Sequence, residues 1–395
     1  MSTDRNSKKK TNGDSVKKRH QRIWLLARPL VRAVCARHGF TFERVDAPGP
    51  YLLISNHATN FLDIIFIIAA VGKKAVSFVG SEHILRSGWA GRVLNWGAGL
   101  IPRPKGAAGI TSVREILKTL RSGTSVVLFA EGSASWDGRS VPVVKGTGSL
   151  VRASGVPLVT YRLEGGYLTR PRWSRGPRSG PVKGRLVHVY PPDEIRALST
   201  DEVNALIDRD IREDAWERQR KEMTHRRGKR RAEYLERLLY LCPRCHRVGT
   251  LLSEGDAITC ACGAAWRYQD TGFPDPPEPF RDLAEWEDWQ KAALRAGDFE
   301  REDEKTLFSD DGCALSRIEG HDETALGTGR VIQEEGALIC AGHRFALEGI
   351  REMDMVRHNI LLFTTDDGYF QIRASGRTNM RKYLEIFRQY QDRQS

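Results

Sequence analysis

The stretch YLLISNHATNFLDIIFIIAAV, residues 51–71, decides how the N-terminal half of the chain is read. It opens on an unbroken apolar run, YLLIS, of the kind that forms a strand buried on both faces. It closes on a second apolar run, IIFIIAAV, long enough for a core helix and well short of the roughly 20 residues of a membrane span. Between them stand His57 and Asp63. A histidine can serve as general base near neutral pH, and a carboxylate can orient its ring and stabilise its protonated form. On one regular helix their six-residue offset corresponds to about 240° of separation. The pair can therefore meet only if His57 lies in a loop, Asp63 lies in the first turns of the following helix, and the chain turns between Thr59 and Leu62.

Outward from this stretch, about 50–195, short apolar runs alternate with helical segments. Strands are predicted at YLLIS (51–55), AVSFV (75–79), SVVLFA (125–130), PLVTYRL (157–163) and LVHVY (186–190), and helices at 61–71, 87–96 and 109–121. The alternation implies an α/β domain with a mixed, largely parallel, buried sheet. Sites in such sheets lie beyond the C-terminal ends of strands. His57 follows one strand directly and Glu131 follows another. Asn56 is expected to shape the loop through a side-chain turn bond.

Four segments together resemble the glycerolipid acyltransferase superfamily, the lysophosphatidic acid acyltransferases and their relatives. NHATNFLD stands for the family's Asn-His, four residues, Asp block, with five residues intervening here. GAGLIPRPKG ends the second block and supplies Arg103. FAEGSAS is the third, with Ala130 for the usual proline and Ala134 for the usual arginine. GVPLVTYRL is the fourth, and the order and spacing hold over about 50–165. The resemblance implies that His57 deprotonates an acceptor hydroxyl while Asp63 holds its tautomer, with no acyl-enzyme. It implies that Arg103 grips the acceptor phosphate with its planar fork, and that Glu131 and Gly132 shape the acceptor site. Lys105 and Lys145 could assist, or could be solvated surface charges. The acceptor would be a lysophospholipid or glycerol phosphate, and the donor acyl-CoA or acyl-carrier protein. The loop YRLEGGYLTRPRWSR (161–175) could lie at a membrane, over the donor phosphates, or simply exposed.

The remaining chain adds three features. Residues 1–16 read as a disordered basic tail, and 17–38 as an amphipathic helix carrying Trp24, Leu26, Leu30 and Val31, kinked or split at Pro29. Residues 200–240 read as one or two charged helices, closing a domain over 17–240. Over 241–272, Cys242, Cys245, Cys260 and Cys262 form two close pairs fourteen residues apart. That is a zinc-ribbon pattern, and four thiolates would close a structural Zn²⁺ site with no open position. His246 is a dispensable further ligand, and Cys35, Cys313 and Cys340 read as buried or inert. After a linker and short helix (273–304), residues 305–395 show successive hairpins with turns at Glu-Glu-Gly and Asp-Asp-Gly and a last helix, a small β-barrel of pleckstrin-homology type.

The formal net charge is +12 and the pI about 9.4, which favours an anionic partner. A cytoplasmic protein, peripheral on an anionic membrane at the inner face of the cell membrane, fits the polar, basic N-terminus. Nucleic acid, bound through the ribbon and THRRGKRR (224–231), is the poorer partner because it leaves the four ordered blocks unexplained. A catalytically inactive lipid-binding scaffold is the remaining alternative, motivated by the longer His–Asp spacing and the altered third block.

Overall fold

The computed structural model describes residues 3–59, 61–81, 99–103, 110–320, 322–374 and 376–394, and the backbone alone at 3–16, 61, 81, 103 and 110. The helix expected at 87–96 and Lys105 lie outside the described residues. The chain forms two compact units, one of residues 1–170 and 179–224, the other of 171–178 and 225–395.

The first unit is built on a seven-stranded sheet. Its strands are β1 (Phe40–Phe42), β2 (Leu52–Ser55), β3 (Ser77–Ser81), β4 (Ile101–Arg103), β5 (Val126–Phe129), β6 (Leu158–Glu164) and β7 (Val182–Tyr190). Their order is β1-β7-β6-β2-β5-β3-β4. Every pairing is parallel except β6 with β7. The helices are α1 (Thr3–Arg37), α2 (Phe61–Val71), α3 (Ile110–Arg121), α4 (Thr147–Ser154), α5 (Gly166–Thr169), α6 (Pro192–Ala197), α7 (Thr200–Ile211) and α8 (Ala215–Glu222).

The unbroken apolar runs now have a reason. Leu53, Val127 and Val159 face α1 and α2, while Leu52, Ile54, Val126, Leu128 and Leu158 face α3, α4 and α7. A central parallel strand covered on both faces cannot alternate apolar with polar. α1 is one helix that includes Pro29 and reaches back to Thr3, through the stretch expected to be a disordered tail. Arg5 and Lys8–Lys10 are good helix formers, though the Thr, Asn, Asp and Ser around them and Gly13 are not. Its apolar residues do not form a single stripe. Trp24, Val31 and Cys35 are buried in the core, and the Trp24 indole N–H bonds the Gly72 carbonyl at 3.0 Å. Leu26 and Leu30 point outward, 80% and 69% exposed.

In the second unit, β8 (Leu251–Glu254), β9 (Ala257–Cys260), β10 (Ala265–Tyr268) and β11 (Pro274–Asp275) form an antiparallel four-stranded sheet. Helix α9 (Leu283–Ala296) follows, capped by Asp282, whose side chain accepts from the Ala284 and Glu285 N–H groups. β12 (Thr306–Glu319), β13 (Asp322–Glu334), β14 (Ala337–Cys340), β15 (His343–Ala346), β16 (Glu352–Val356), β17 (Ile360–Thr365) and β18 (Gly368–Arg373) form an antiparallel seven-stranded sheet ordered β15-β14-β13-β12-β18-β17-β16, followed by α10 (Arg381–Gln394). The predicted turns fall between β13 and β14 and between β17 and β18. Gln389 bonds the Lys291 carbonyl and Asn379 the Glu236 carbonyl, contacts within the second unit, which also holds the four-cysteine segment.

Three expectations need correction. RRAEYLERLLYL is not an α-helix: Tyr234 takes φ 74°, only Leu235–Arg237 makes a helical turn, and of the type with three residues per turn. Leu235, Leu238, Leu239 and Leu241 are all fully covered, together with Glu236 and Arg237. That is burial on every side, which an amphipathic helix does not have. The 161–175 loop is not solvent-facing throughout. Trp173 is completely buried, edge-on to Tyr268, and the Arg172 guanidinium donates to the Met355 and Arg357 carbonyls. THRRGKRR, within the span read as charged helices, is a loop after α8 in which Arg226 is buried and Arg231 pairs with Asp256 at 2.8 Å.

Candidate active site

β2 lies between β6 and β5 in the sheet, and three chain segments leave this centre at its C-terminal edge. The first carries His57. Asn56, just before it, reaches across to β6: its amide donates to the Leu163 carbonyl at 2.9 Å and its carbonyl accepts from the Leu163 N–H at 2.7 Å. Asn56 thus ties the loop to the neighbouring strand, rather than closing the local turn expected of it. The His57 carbonyl accepts from Ser135 N–H at 2.9 Å, and the ring stacks on Phe129 with centroids 4.5 Å apart. The imidazole remains 19% exposed.

His57 and Asp63 are brought together. α2 starts at Phe61, Leu62 is buried in the core, and Asp63 lies in the first helical turn, where the positive end of the helix dipole favours a carboxylate. Asp63 Oδ2 stands 2.7 Å from His57 Nδ1 and is fully buried. The Thr59 N–H donates to Oδ2 at 2.8 Å and the Thr59 hydroxyl to Oδ1 at 2.5 Å. A carboxylate held on both oxygens fixes the imidazole with its proton on Nδ1 and leaves Nε2 as the basic nitrogen.

Glu131 enters from β5. Gly132 makes the turn behind it with φ 72°, a left-handed conformation glycine adopts without steric cost. Glu131 Oε1 accepts from the His57 N–H at 3.2 Å and from the Ser140 hydroxyl at 3.3 Å. Burial pushes its carboxyl up to about 8, with the nearby Asp63 charge adding to the effect and these hydrogen bonds opposing it. Ser140 in turn accepts from Glu213 N–H at 3.0 Å, and the Glu213 carboxylate accepts from the Gly165 N–H at 3.1 Å and pairs with Arg218. Thr59, Ser140 and Glu213 were not singled out by sequence reasoning. A Thr just ahead of a helix start is the one signal that pointed to any of them.

The proposed anion-binding residues are less closely grouped. β4 ends on Arg103 at the same sheet edge but three strands from β2, about 14 Å at a strand spacing of about 4.8 Å. Lys145 is exposed, and its neighbour Val144 donates to the Ala130 carbonyl at 2.9 Å. Ala134, where the family carries arginine, is buried.

In the second unit the four predicted cysteines converge. Cys242 and Cys262 Sγ are 3.8 Å apart, Cys245 and Cys260 Sγ 3.7 Å, and all four sulfurs lie within 4.8 Å of one another. Sulfurs about 2.3 Å from a tetrahedral zinc are about 3.8 Å from each other, so the donor set fits the ion. His246 is not part of it; its Nδ1 faces Asp298 at 2.8 Å. Cys35, Cys313 and Cys340 are buried elsewhere.

Residues 40–164 match the family model described as Acyltransferase. Among curated proteins, the chloroplastic 1-acyl-sn-glycerol-3-phosphate acyltransferase BAT2 of Brassica napus is 31% identical over 131 residues, 32% of this chain and 36% of that protein. The corresponding LPAT1 of Arabidopsis thaliana is 32% identical over 135 residues, 33% of this chain and 36% of its own length. The chain thus spans about a third of the length of these relatives. The lysophosphatidate acyltransferase PlsC of Thermotoga maritima, a solved structure, is 19% identical with a TM-score of 0.36, covering 50% of this chain and 77% of that one. The family match and the two relatives support the resemblance to glycerolipid acyltransferases over the segment that carries His57, Asp63 and Glu131.

Proposed function

We propose that the first unit transfers a fatty acyl group from an acyl thioester to the hydroxyl of a lysophosphatidic acid or a similar glycerolipid phosphate. The observation that carries this reading is the 2.7 Å contact between His57 and Asp63, at a sheet edge within an acyltransferase-matching segment. His57 Nε2 takes the proton of the acceptor hydroxyl as its oxygen attacks the thioester carbonyl carbon. The tetrahedral adduct collapses, the carbon–sulfur bond breaks, and the departing thiolate receives the proton from His57. Asp63 stabilises the imidazolium between these steps. Glu131, held neutral below about pH 8, keeps a second negative charge away from the dyad. Arg103, some way along the same edge, is suited to a phosphate separated from the reacting hydroxyl by a glycerol backbone; Lys145 is a candidate helper.

The outward Leu26 and Leu30 of α1, flanked by Arg22 and Arg32, support peripheral binding to an anionic membrane. Among the described residues no helix is long and apolar enough to cross one. Zn²⁺ at the four cysteines would serve a structural role. The antiparallel seven-stranded sheet followed by one helix supports the pleckstrin-homology-like reading of 305–395.

The test is incubation of purified protein with labelled acyl-CoA, or the acyl-carrier-protein thioester, and a panel of lysophospholipids and glycerol phosphate. Mass spectrometry should show a diacylated product with at least one acceptor. No product with any pair would leave the inactive lipid-binding scaffold as the better reading.

A further inference from the structure

We infer that Thr59 and Gly166 act together as positioning residues that hold the Asp63 carboxylate against His57, and so select the imidazole tautomer. The inference rests on the proposed acyl-transfer reading for its catalytic consequence, but its structural content is independent of it.

Five residues between His57 and Asp63 demand a wider turn than four, and the wider turn needs something to hold it. Thr59 supplies that hold. It is fully buried and bonds both oxygens of the Asp63 carboxylate, through its N–H to Oδ2 and its hydroxyl to Oδ1. The hydroxyl bond stops the carboxylate from rotating about its terminal torsion, which is otherwise broad. Thr59 is itself backed by a neighbouring segment. A Cβ built on Gly166 would stand 3.0 Å from the Thr59 methyl carbon and 3.1 Å from the Ala58 Cβ. Gly165 before it takes φ 71°, whereas Gly166 is not among the left-handed glycines. Gly165 is thus required by backbone conformation and Gly166 by space. The segment is anchored, since Gly165 N–H donates to the buried Glu213 carboxylate. The Gly-Gly step at the end of β6 lets the chain press on the turn that carries the dyad.

The experiment compares wild type with Thr59→Ser, Thr59→Val and Gly166→Ala in the full chain. Nitrogen chemical shifts of labelled histidine, with the His57 signal assigned from a His57→Ala variant, give the tautomer of the neutral ring. Asp63 and Glu131 are the titratable groups facing this loop, so shifts are read across the His57 titration. Wild type and Thr59→Ser should hold His57 mainly as the Nδ1–H tautomer. Thr59→Val and Gly166→Ala should move it toward Nε2–H. In steady-state acyl transfer, Thr59→Val should lose about 10- to 100-fold in kcat, a part of the roughly 10²–10⁴-fold that a general base contributes, with KM nearly constant and serine restoring the rate. Unchanged tautomer and kcat in both Thr59→Val and Gly166→Ala overturn the inference. If none of the proteins transfers an acyl group, the acyl-transfer reading fails while the tautomer measurement still decides this one.

Discussion

Replacing Glu131 by glutamine separates the charge of this buried side chain from its shape. The amide oxygen can still accept from the His57 N–H and the Ser140 hydroxyl, but the group cannot ionise. In the wild-type protein burial raises the carboxyl from 4.5 to about 8. At about 1.4 kcal/mol per pH unit, that difference is worth on the order of 5 kcal/mol. The sign follows from proton binding. Below pH 4.5 folded and unfolded chains both carry the proton, and the stability of the neutral form is fully present. As pH rises the unfolded chain ionises first, so the folded state binds more protons and stability falls, until the folded carboxyl also ionises near pH 8. The glutamine variant lacks this slope. Its N–H groups find no partner at the position of Oε2, which has none in the wild type, and this adds a constant cost of about 1–3 kcal/mol. The stability of the variant relative to wild type should therefore rise by up to about 5 kcal/mol between pH 4.5 and 8. Urea unfolding read by hydrogen exchange in 126–135 at intervals across that window measures it. A difference that does not change with pH would mean Glu131 is an ordinary ionised carboxylate in the folded protein, and the argument for a neutral group beside the dyad would fail.

Two further outcomes follow from the geometry. Asn56→Ala should cost about 2–5 kcal/mol, because it leaves the buried N–H and carbonyl of Leu163 unpaired; urea denaturation of the first unit measures it. Treating the zinc-loaded protein with a chelator should remove one Zn²⁺ per chain and expose Cys242, Cys245, Cys260 and Cys262 to alkylation well before Cys313 and Cys340, as mass spectrometry of the labelled peptides would show. Loss of a structural zinc removes apparent binding free energy on the order of 10 kcal/mol.

The legible parts of this molecule were those where one local rule acts alone. The predicted strands around 52–55 and 126–129 came from runs whose apolar character has a single cause, burial between two layers, and the helix at 61–71 from an apolar run that packs on one face of the sheet. The four cysteines were legible because metal-ligand spacing is a short-range constraint. What the sequence could not convey was set by distant partners. Trp173 looked like a membrane or loop residue and is buried on Tyr268, 95 positions away in the chain. RRAEYLERLLYL has helical periodicity, yet its leucines are all buried, with Gln290 of α9 bonding the backbone of Leu238 and Tyr240. Within the site, His57 and Asp63 could be named from sequence, but the Thr59 bonds to the carboxylate and the close approach of Gly166, from the segment that follows β6, could not. Periodicity and motif spacing carry no information about such approaches.

The most direct test of the central claim is the initial rate of acyl transfer to a lysophosphatidic acid by wild type, His57→Ala and Asp63→Asn, each checked for a native fold by hydrogen exchange. The account predicts product from wild type, a loss of about 10²–10⁴ in kcat for His57→Ala, and a loss approaching 10⁴ for Asp63→Asn as the tautomer is misassigned. Equal rates in all three proteins would contradict the claim that this histidine and aspartate perform the reaction.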